Sequence, residues 1–275
     1  MATWFITGAA RGLGAEIARA ALARGNDVVA AARDPRKLPA DLRDSEQVLG
    51  VQLDVTRSAD VPAAIDAAID RFGGIDVLVN NAGRGLLGAL EELSDQEIRS
   101  LFELNVFGLL NTTRAALPAL RESGGRIVHI GSRGGFEGEP GAGAYNATKF
   151  AVAGISEALA AELAPLGVQS MVVEPGTFRT DFLDGSSLSR PANPLAVYDG
   201  TPAHDTLDWA AATNHAQLGD PMLAARFICE VTEQEKLPGH LPVGADAIER
   251  LDVKLAALRG DLDQWREAAA ATAAE

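Results

Sequence analysis

Cysteine is almost missing from this chain of 275 residues. Cys229 stands alone, so no internal disulfide can form, and a reducing cytoplasm is the expected compartment. No Cys/His spacing resembles a zinc site, and no metal is expected. Long apolar runs are missing as well: no stretch approaches the ~18 residues that cross a bilayer. The start, MATWFITGAARGLG, lacks the basic end and apolar core of a signal peptide, so neither secretion nor a membrane span is expected. Positive charge is scarce. With 24 Lys and Arg against 38 Asp and Glu the net charge is −14, which argues against nucleic acid and anionic membranes as partners. Any phosphate site must be local.

What is present is an ordinary globular composition, 47% hydrophobic and 23% charged, in a length that a single α/β domain can use. Short Val/Ile/Leu-rich runs at residues 3–7, 27–32, 48–54, 75–80, 126–131 and 168–174 alternate with helical patterns, and a last strand is expected at His240 to Val243. Alternating β and α implies a doubly wound, Rossmann-type parallel sheet of about seven strands with helices on both faces. Its strands read as continuous apolar runs because both faces are covered. The chain reads as one domain: a dinucleotide-binding and catalytic part over 1–243, with an irregular substrate loop at 177–219, and a C-terminal amphipathic helix over 244–275.

Two glycine patterns compete for a phosphate. The stretch AGRGLLG, residues 82–88, contains G-x-G-x-x-G at Gly83, Gly85 and Gly88, but it follows a strand without opening a helix. The capping box Ser94 to Glu97 starts the next helix only later. By contrast, Gly8, Gly12 and Gly14 lie between the first strand and the first helix, where free N–H groups at a helix start can face a pyrophosphate. The second pattern is therefore the expected cradle. The sequence NNAG, residues 80–83, ends the fourth strand, where strand order reverses and ligands bind.

The chain has 2 tyrosines, and one of them, Tyr145, precedes Lys149 by one helical turn in YNATK, so both share a face. A free phenol titrates near ~10, too high for proton transfer near neutrality, and a neighbouring ammonium lowers it. Ser132, at the end of the predicted fifth strand, could hold a carbonyl oxygen beside that phenol. Alone, Ser132 reads more readily as a turn or helix cap than as a catalytic group. Alone, Asn105 reads as a mid-helix Asn facing solvent or a backbone carbonyl.

Together, the first glycine loop with Thr7, NNAG, Asn105, Ser132, Tyr145 and Lys149 resemble the shorter branch of the short-chain dehydrogenase/reductase family, over residues 3–243. The resemblance implies that Tyr145 delivers or removes the proton and Lys149 lowers its pKa and binds the nicotinamide ribose. It implies that Ser132 orients the carbonyl and that Asn105 holds a water linking Lys149 to solvent. It also implies dinucleotide contacts from Thr7, Gly8, Arg11, Gly12, Leu13, Gly14, Asp54, Val55, Asn81, Ala82 and Gly83. Pro175, Gly176 and Thr177, in EPGTFRT, resemble the family's turn beside the nicotinamide amide.

The second strand ends AAARD, with Ala32 where an NAD-preferring fold places a carboxylate for the ribose 2′-hydroxyl, and Arg33 next. A guanidinium there pairs with a 2′-phosphate, so NADP(H) is favoured over NAD(H), with Arg11 as weaker support. Arg33 also reads as a surface charge paired with Asp34. The substrate is expected to be a small carbonyl or alcohol; Phe178, Phe182, Tyr198 and Trp209 suit an apolar one, whereas Arg179, Arg190, His204 and His215 suit an acidic group. His129 reads as a packed side chain.

From Ile248, apolar residues at Leu251, Leu255, Leu258, Leu262 and Trp265 keep a heptad rhythm, read here as packing on the chain's own domain rather than a dimer zipper. The tail beyond Trp265 is expected to fray. By resemblance, the helices of Asn105 and Tyr145 pair across a two-fold axis in a homodimer or homotetramer, and the C-terminal extension could cover a tetramer contact. A second reading of the whole, a noncatalytic NADP(H)-binding sensor or scaffold, needs the glycine loop but not the catalytic residues.

Overall fold

The computed structural model describes residues 1–272. Seven parallel strands build one sheet: β1 (Thr3–Thr7), β2 (Asp27–Ala32), β3 (Val48–Gln52), β4 (Val77–Asn80), β6 (Arg126–Ile130), β7 (Gln169–Pro175) and β9 (His240–Val243). Their order is β3-β2-β1-β4-β6-β7-β9, so the chain winds outward from β1, returns, and winds the other way from β4. The crevice between β1 and β4 is the switch point where such sheets take ligands.

Burial follows the pleat. All five residues of β1 are buried; Trp4 and Ile6 join one core and Phe5 the other. The first core takes Ile17, Ala18 and Ala21 from α1 (Gly12–Ala23), with Ala225 and Ile228 from α8 (Pro221–Thr232). The second takes Ile65 and Ala68 from α3 (Val61–Phe72), Ala116 and Leu120 from α5 (Gly108–Ser123), and Leu163 from α6 (Gly143–Leu163). A short α2 (Ala40–Arg43) docks Leu42 into the first core beside β3. Helices thus cover both faces, as the continuous apolar strands require.

Ser94 caps α4 (Asp95–Phe102), its hydroxyl accepting from Glu97 N–H at 3.2 Å while Glu97 accepts from Ser94 N–H at 2.8 Å. Between α4 and α5 lies one π-helical turn, Glu103–Phe107, so the long apolar pattern is a single helix with a bulge at Asn105. After β4 the glycines at 83, 85 and 88 open no helix. Instead β5 (Gly85–Leu86) pairs with β8 (Leu188–Ser189), tying residues 177–219 to the strand end.

Two expectations are corrected. Residues 177–219 are not irregular throughout: they contain α7 (Pro202–Thr213), which starts on a proline, the residue that leaves no N–H orphaned there. Leu207 and Ala210 of α7 join Leu87, Ala142 and Leu188 in a small core of their own. The C-terminal helix α9 (Ala245–Ala270) does not pack its stripe on the domain. Only Ala247 is buried, whereas Leu255, Leu258, Leu262 and Trp265 are 54%, 50%, 49% and 61% exposed. From Leu255 on, the heptad pattern is thus satisfied by nothing among the described residues, whereas Leu251 is half-buried. Beyond Trp265 the helix continues to Ala270, and residues 273–275 of the expected extension lie outside the described part.

Candidate active site

The switch-point crevice is built by side chains that tie two strand ends together. The Thr7 hydroxyl accepts from the N–H groups of Asn81 and Ala82, each at 3.0 Å, and donates to Val79 O at 3.3 Å. Asn81 returns the tie, its Nδ2 donating to Thr7 O at 2.8 Å and Gly8 O at 3.2 Å. Thr7 is buried, and its hydroxyl is spent on this tie. Gly8 has φ +67° and Gly12 φ +54°, a left-handed turn that other residues rarely adopt. At Gly14 a Cβ would lie 2.7 Å from Gly8 O, which accounts for the third glycine. Leu13 packs against the first core. Arg11, at the N-cap of α1, gives its amides no side-chain cap, so the first turn keeps free N–H groups for an anion.

The neighbouring pair Asn80 and His129 is packing. His129 is fully buried and held neutral by that burial, its pKa pushed down to about 3, while Asn80 Nδ2 bridges Thr113 Oγ1 at 2.9 Å and His129 Nδ1 at 3.2 Å.

Asn105 is buried, not solvent-facing. Its Oδ1 accepts from Arg84 N–H at 3.0 Å, and its Nδ2 donates to Arg84 O at 3.0 Å and Thr148 Oγ1 at 3.1 Å. The π-turn turns this side chain inward, between the NNAG loop and α6. Thr148 in turn donates to Tyr145 O at 2.8 Å, so Asn105 reaches the Tyr145 helix through one hydroxyl.

Ser132, Tyr145 and Lys149 converge. Gly134 leaves space between Ser132 Oγ and the Tyr145 ring, each 3.5 Å from where its Cβ would be. Lys149 is buried, and its Nζ donates to Ile130 O at 2.8 Å and stands 5.8 Å from the Tyr145 ring centre. Burial lowers the Lys149 pKa to about 8 and raises that of Tyr145 to about 12, against the pull of a hydrogen bond to Ser132. In the chain by itself, desolvation therefore outweighs the lowering expected from the ammonium, and at neutral pH the pair is a phenol beside an ammonium. Phe182 packs on Tyr145 with ring centres 5.8 Å apart, an apolar wall for whatever meets the phenol.

Sequence reasoning passed over Asn146. Its Nδ2 donates to Gly134 O at 3.2 Å and its Oδ1 accepts from Glu139 N–H at 2.9 Å, locking the segment after Ser132 against α6. The signal was a buried amide immediately after Tyr145. Asp246 was also missed: Thr177 donates to its Oδ2 from N–H at 2.9 Å and from Oγ1 at 3.0 Å. Gly176 makes room for this carboxylate, since a Cβ there would lie 1.9 Å from Asp246 Oδ1, and Pro175 ends β7 opposite Val243.

At the other end of the crevice, Arg33 is exposed beyond Ala32, which is buried at the end of β2. The anticipated Arg33–Asp34 pair does not form. Asp34 instead caps the turn Pro35–Lys37 and binds Arg36 Nε at 2.8 Å, leaving Arg33 with no ion pair among the described residues. Arg11 is engaged elsewhere: its guanidinium donates to Ser187 Oγ at 2.7 Å, to Ser186 O at 2.9 Å, and to Ser186 Oγ, pinning the segment around β8 to the glycine loop. Asp54 accepts from Thr56 N–H at 3.0 Å, and Val55 is buried against Gly108 while its carbonyl accepts from Asn111.

Residues 2–190 match the short chain dehydrogenase family pattern. Oxidoreductase BOA17 of Botryotinia fuckeliana is 36% identical over 275 residues, covering 98% of each chain. The crystal structure of a short-chain dehydrogenase from Streptomyces avermitilis superposes with a TM-score of 0.90 at 37% identity, over 99% of this chain and all of that one. An alcohol dehydrogenase from the archaeon Thermococcus sibiricus, solved with 5-hydroxy-NADP, superposes at 0.71 and 28% identity over 88% of this chain and 96% of its own. A doubly wound sheet with a glycine turn and an uncapped helix start at its switch point thus coincides with a family match over most of the chain. The protein belongs to the short-chain dehydrogenase/reductase family of oxidoreductases.

Proposed function

We propose that this chain is an NADP(H)-dependent reductase of a ketone or aldehyde, working reversibly on the corresponding alcohol. The observation that carries the reading is the convergence of Tyr145, Lys149 and Ser132 at the same end of the sheet as the uncapped start of α1. The uncapped amides and left-handed Gly8 and Gly12 fit a pyrophosphate, and unpaired Arg33 fits a 2′-phosphate. When bound, the nicotinamide supplies or accepts the hydride.

The residues of the chain handle the proton and the geometry. Tyr145, protonated at neutral pH, donates its phenolic proton to the oxygen that gains charge as a carbonyl is reduced. Ser132 donates a hydrogen bond to that oxygen and holds it beside the phenol. Lys149 binds ribose hydroxyls and stabilises the phenolate left behind, and Asn105, through Thr148, fixes the Tyr145 turn. The resting protonation is the one that the reductive direction starts from. Phe182, packed on the phenol, suits an apolar group on the carbonyl carbon.

The test is oxidation of NADPH and NADH with a panel of ketones, aldehydes and quinones, with Tyr145→Phe alongside. The expected result is faster turnover with NADPH, reduced by about 10²–10⁴-fold in the variant while NADPH binding persists. Undiminished turnover in Tyr145→Phe would refute the mechanism; NADPH binding without turnover on any substrate would favour the sensor reading.

A further inference from the structure

We propose that α9 pairs antiparallel with α9 of a second copy of this chain. The helix is 26 residues long, yet from Leu255 onward every residue is exposed. A helix with no packed face is marginal in water, and Gly260 in its interior weakens it by about 1 kcal/mol relative to alanine. A sequence that keeps Ile248, Leu251, Leu255, Leu258, Leu262 and Trp265 in an a/d stripe about 26 Å long specifies a partner helix.

The stripe itself selects the partner and its direction. Running a second α9 backwards places Ile248 against the partner's Trp265, Leu251 against the partner's Leu262, and Leu255 against the partner's Leu258. Every pair is then equidistant from the midpoint between Ala256 and Ala257, so the stripe is complementary to its own reverse across a two-fold axis. The flanking charges agree. In this register Lys254 faces the partner's Asp261 on one side and Asp252 faces the partner's Arg259 on the other, and symmetry repeats both. A parallel pairing would instead set Lys254 against the partner's Arg259, a repulsion at the centre. Acidic groups outnumber basic ones along α9, which disfavours a lipid surface as occupant.

Cysteine cross-linking reads the direction, because Cys229 is buried and silent. Under mild oxidation Leu251→Cys alone should stay uncrosslinked, and Leu251→Cys with Leu262→Cys should give a covalent dimer. Cross-linking of Leu251→Cys alone would overturn the antiparallel arrangement. Lys254→Glu should weaken self-association about tenfold, and adding Asp261→Lys should restore it; tightening by Lys254→Glu would point to the parallel form and reject the proposal. Leu255→Lys with Leu258→Lys should halve the mass of the assembly by light scattering, with the thermal transition of the sheet unchanged. An unchanged mass, or co-sedimentation of the wild type with phosphatidylglycerol vesicles in place of self-association, would also reject it.

Discussion

Asp246, in the first turn of α9, accepts two hydrogen bonds from Thr177, at 2.9 and 3.0 Å, and so holds the Pro175–Thr177 turn from the far side of the sheet edge. A second link, Arg250 Nε to Glu137 Oε2 at 2.7 Å, joins the same helix to the segment following Ser132. The start of α9 is therefore a brace for both walls of the candidate site, although none of its residues was legible as such in the sequence. Asp246→Ala should raise the KM for NADPH about tenfold by freeing the turn, the cost of a charged hydrogen bond of about 1.5–3 kcal/mol. Asp246→Asn, which keeps one acceptor, should recover part of it; steady-state kinetics at varied cofactor separates the two.

Arg33 is exposed and has no ion pair among the described residues, since Asp34 is taken by Arg36. Arg33→Ala should weaken NADPH about tenfold or more and leave NADH nearly unchanged, a loss typical of a charge-assisted contact. Fluorescence titration with each cofactor measures the ratio. Equal losses for both cofactors would remove Arg33 from the 2′-phosphate.

The protonation states give a pH profile. Reduction needs the Tyr145 phenol and the Lys149 ammonium, and burial lowers Lys149 to about 8 while raising Tyr145 to about 12. In the free enzyme kcat/KM for carbonyl reduction should be level below pH 8 and fall as Lys149 loses its proton. Lys149→Met should be slow and lack that descending limb.

His204 fastens α7 to the body of the domain. Its Nε2 lies 2.8 Å from Glu92 Oε1 and its Nδ1 lies 3.2 Å from Asp199, and the hydrogen bond to Glu92 raises its pKa against partial desolvation. Glu92, despite burial, is held below its usual value by the N–H groups of Leu195 and Ala89 together with His204. A histidine raised on folding stabilises fully below its unfolded value of ~6.5 and loses that contribution as pH rises through the folded value. The Tm difference between wild type and His204→Gln should therefore be larger at about pH 5.5 than at about pH 8.5. A gap that does not depend on pH would show that His204 does not act as a charged fastener.

How much of this was legible before the structure depended on whether the local signal was complete. β1, β2 and β9 fall at their expected limits because each is an apolar run closed by turn residues, and the capping box at Ser94 marks a true helix start. Tyr145 with Lys149 was legible because one helical turn separates them. Asn105 was ambiguous alone, since its inward aim comes from a π-turn that no residue pattern announced. The segment 177–219 was read as loop from its Pro, Gly and Ser content, although Thr201 followed by Pro202 is itself a helix-start signal. Asp246 acts on a turn far away in sequence, and Asn146 folds back on the loop just before its own helix, through hydrogen bonds that only the folded chain brings within reach. The stripe on α9 was visible, but periodicity names a buried face without naming what covers it.

The π-helical turn at Glu103–Phe107 has a consequence for insertions and deletions. It holds one residue more than a regular helix needs, so removing any one residue there would restore ordinary winding at no loss of helical hydrogen bonds. Because the bulge absorbs that surplus residue, the deletion would leave the flanking segments in nearly their present relation, with Ala116 and Leu120 still on the sheet. What it would change is the aim of Asn105, whose bonds to Arg84 and Thr148 are made from within the widened turn. Loss of one residue here should therefore spare the core of the domain and fall on Asn105.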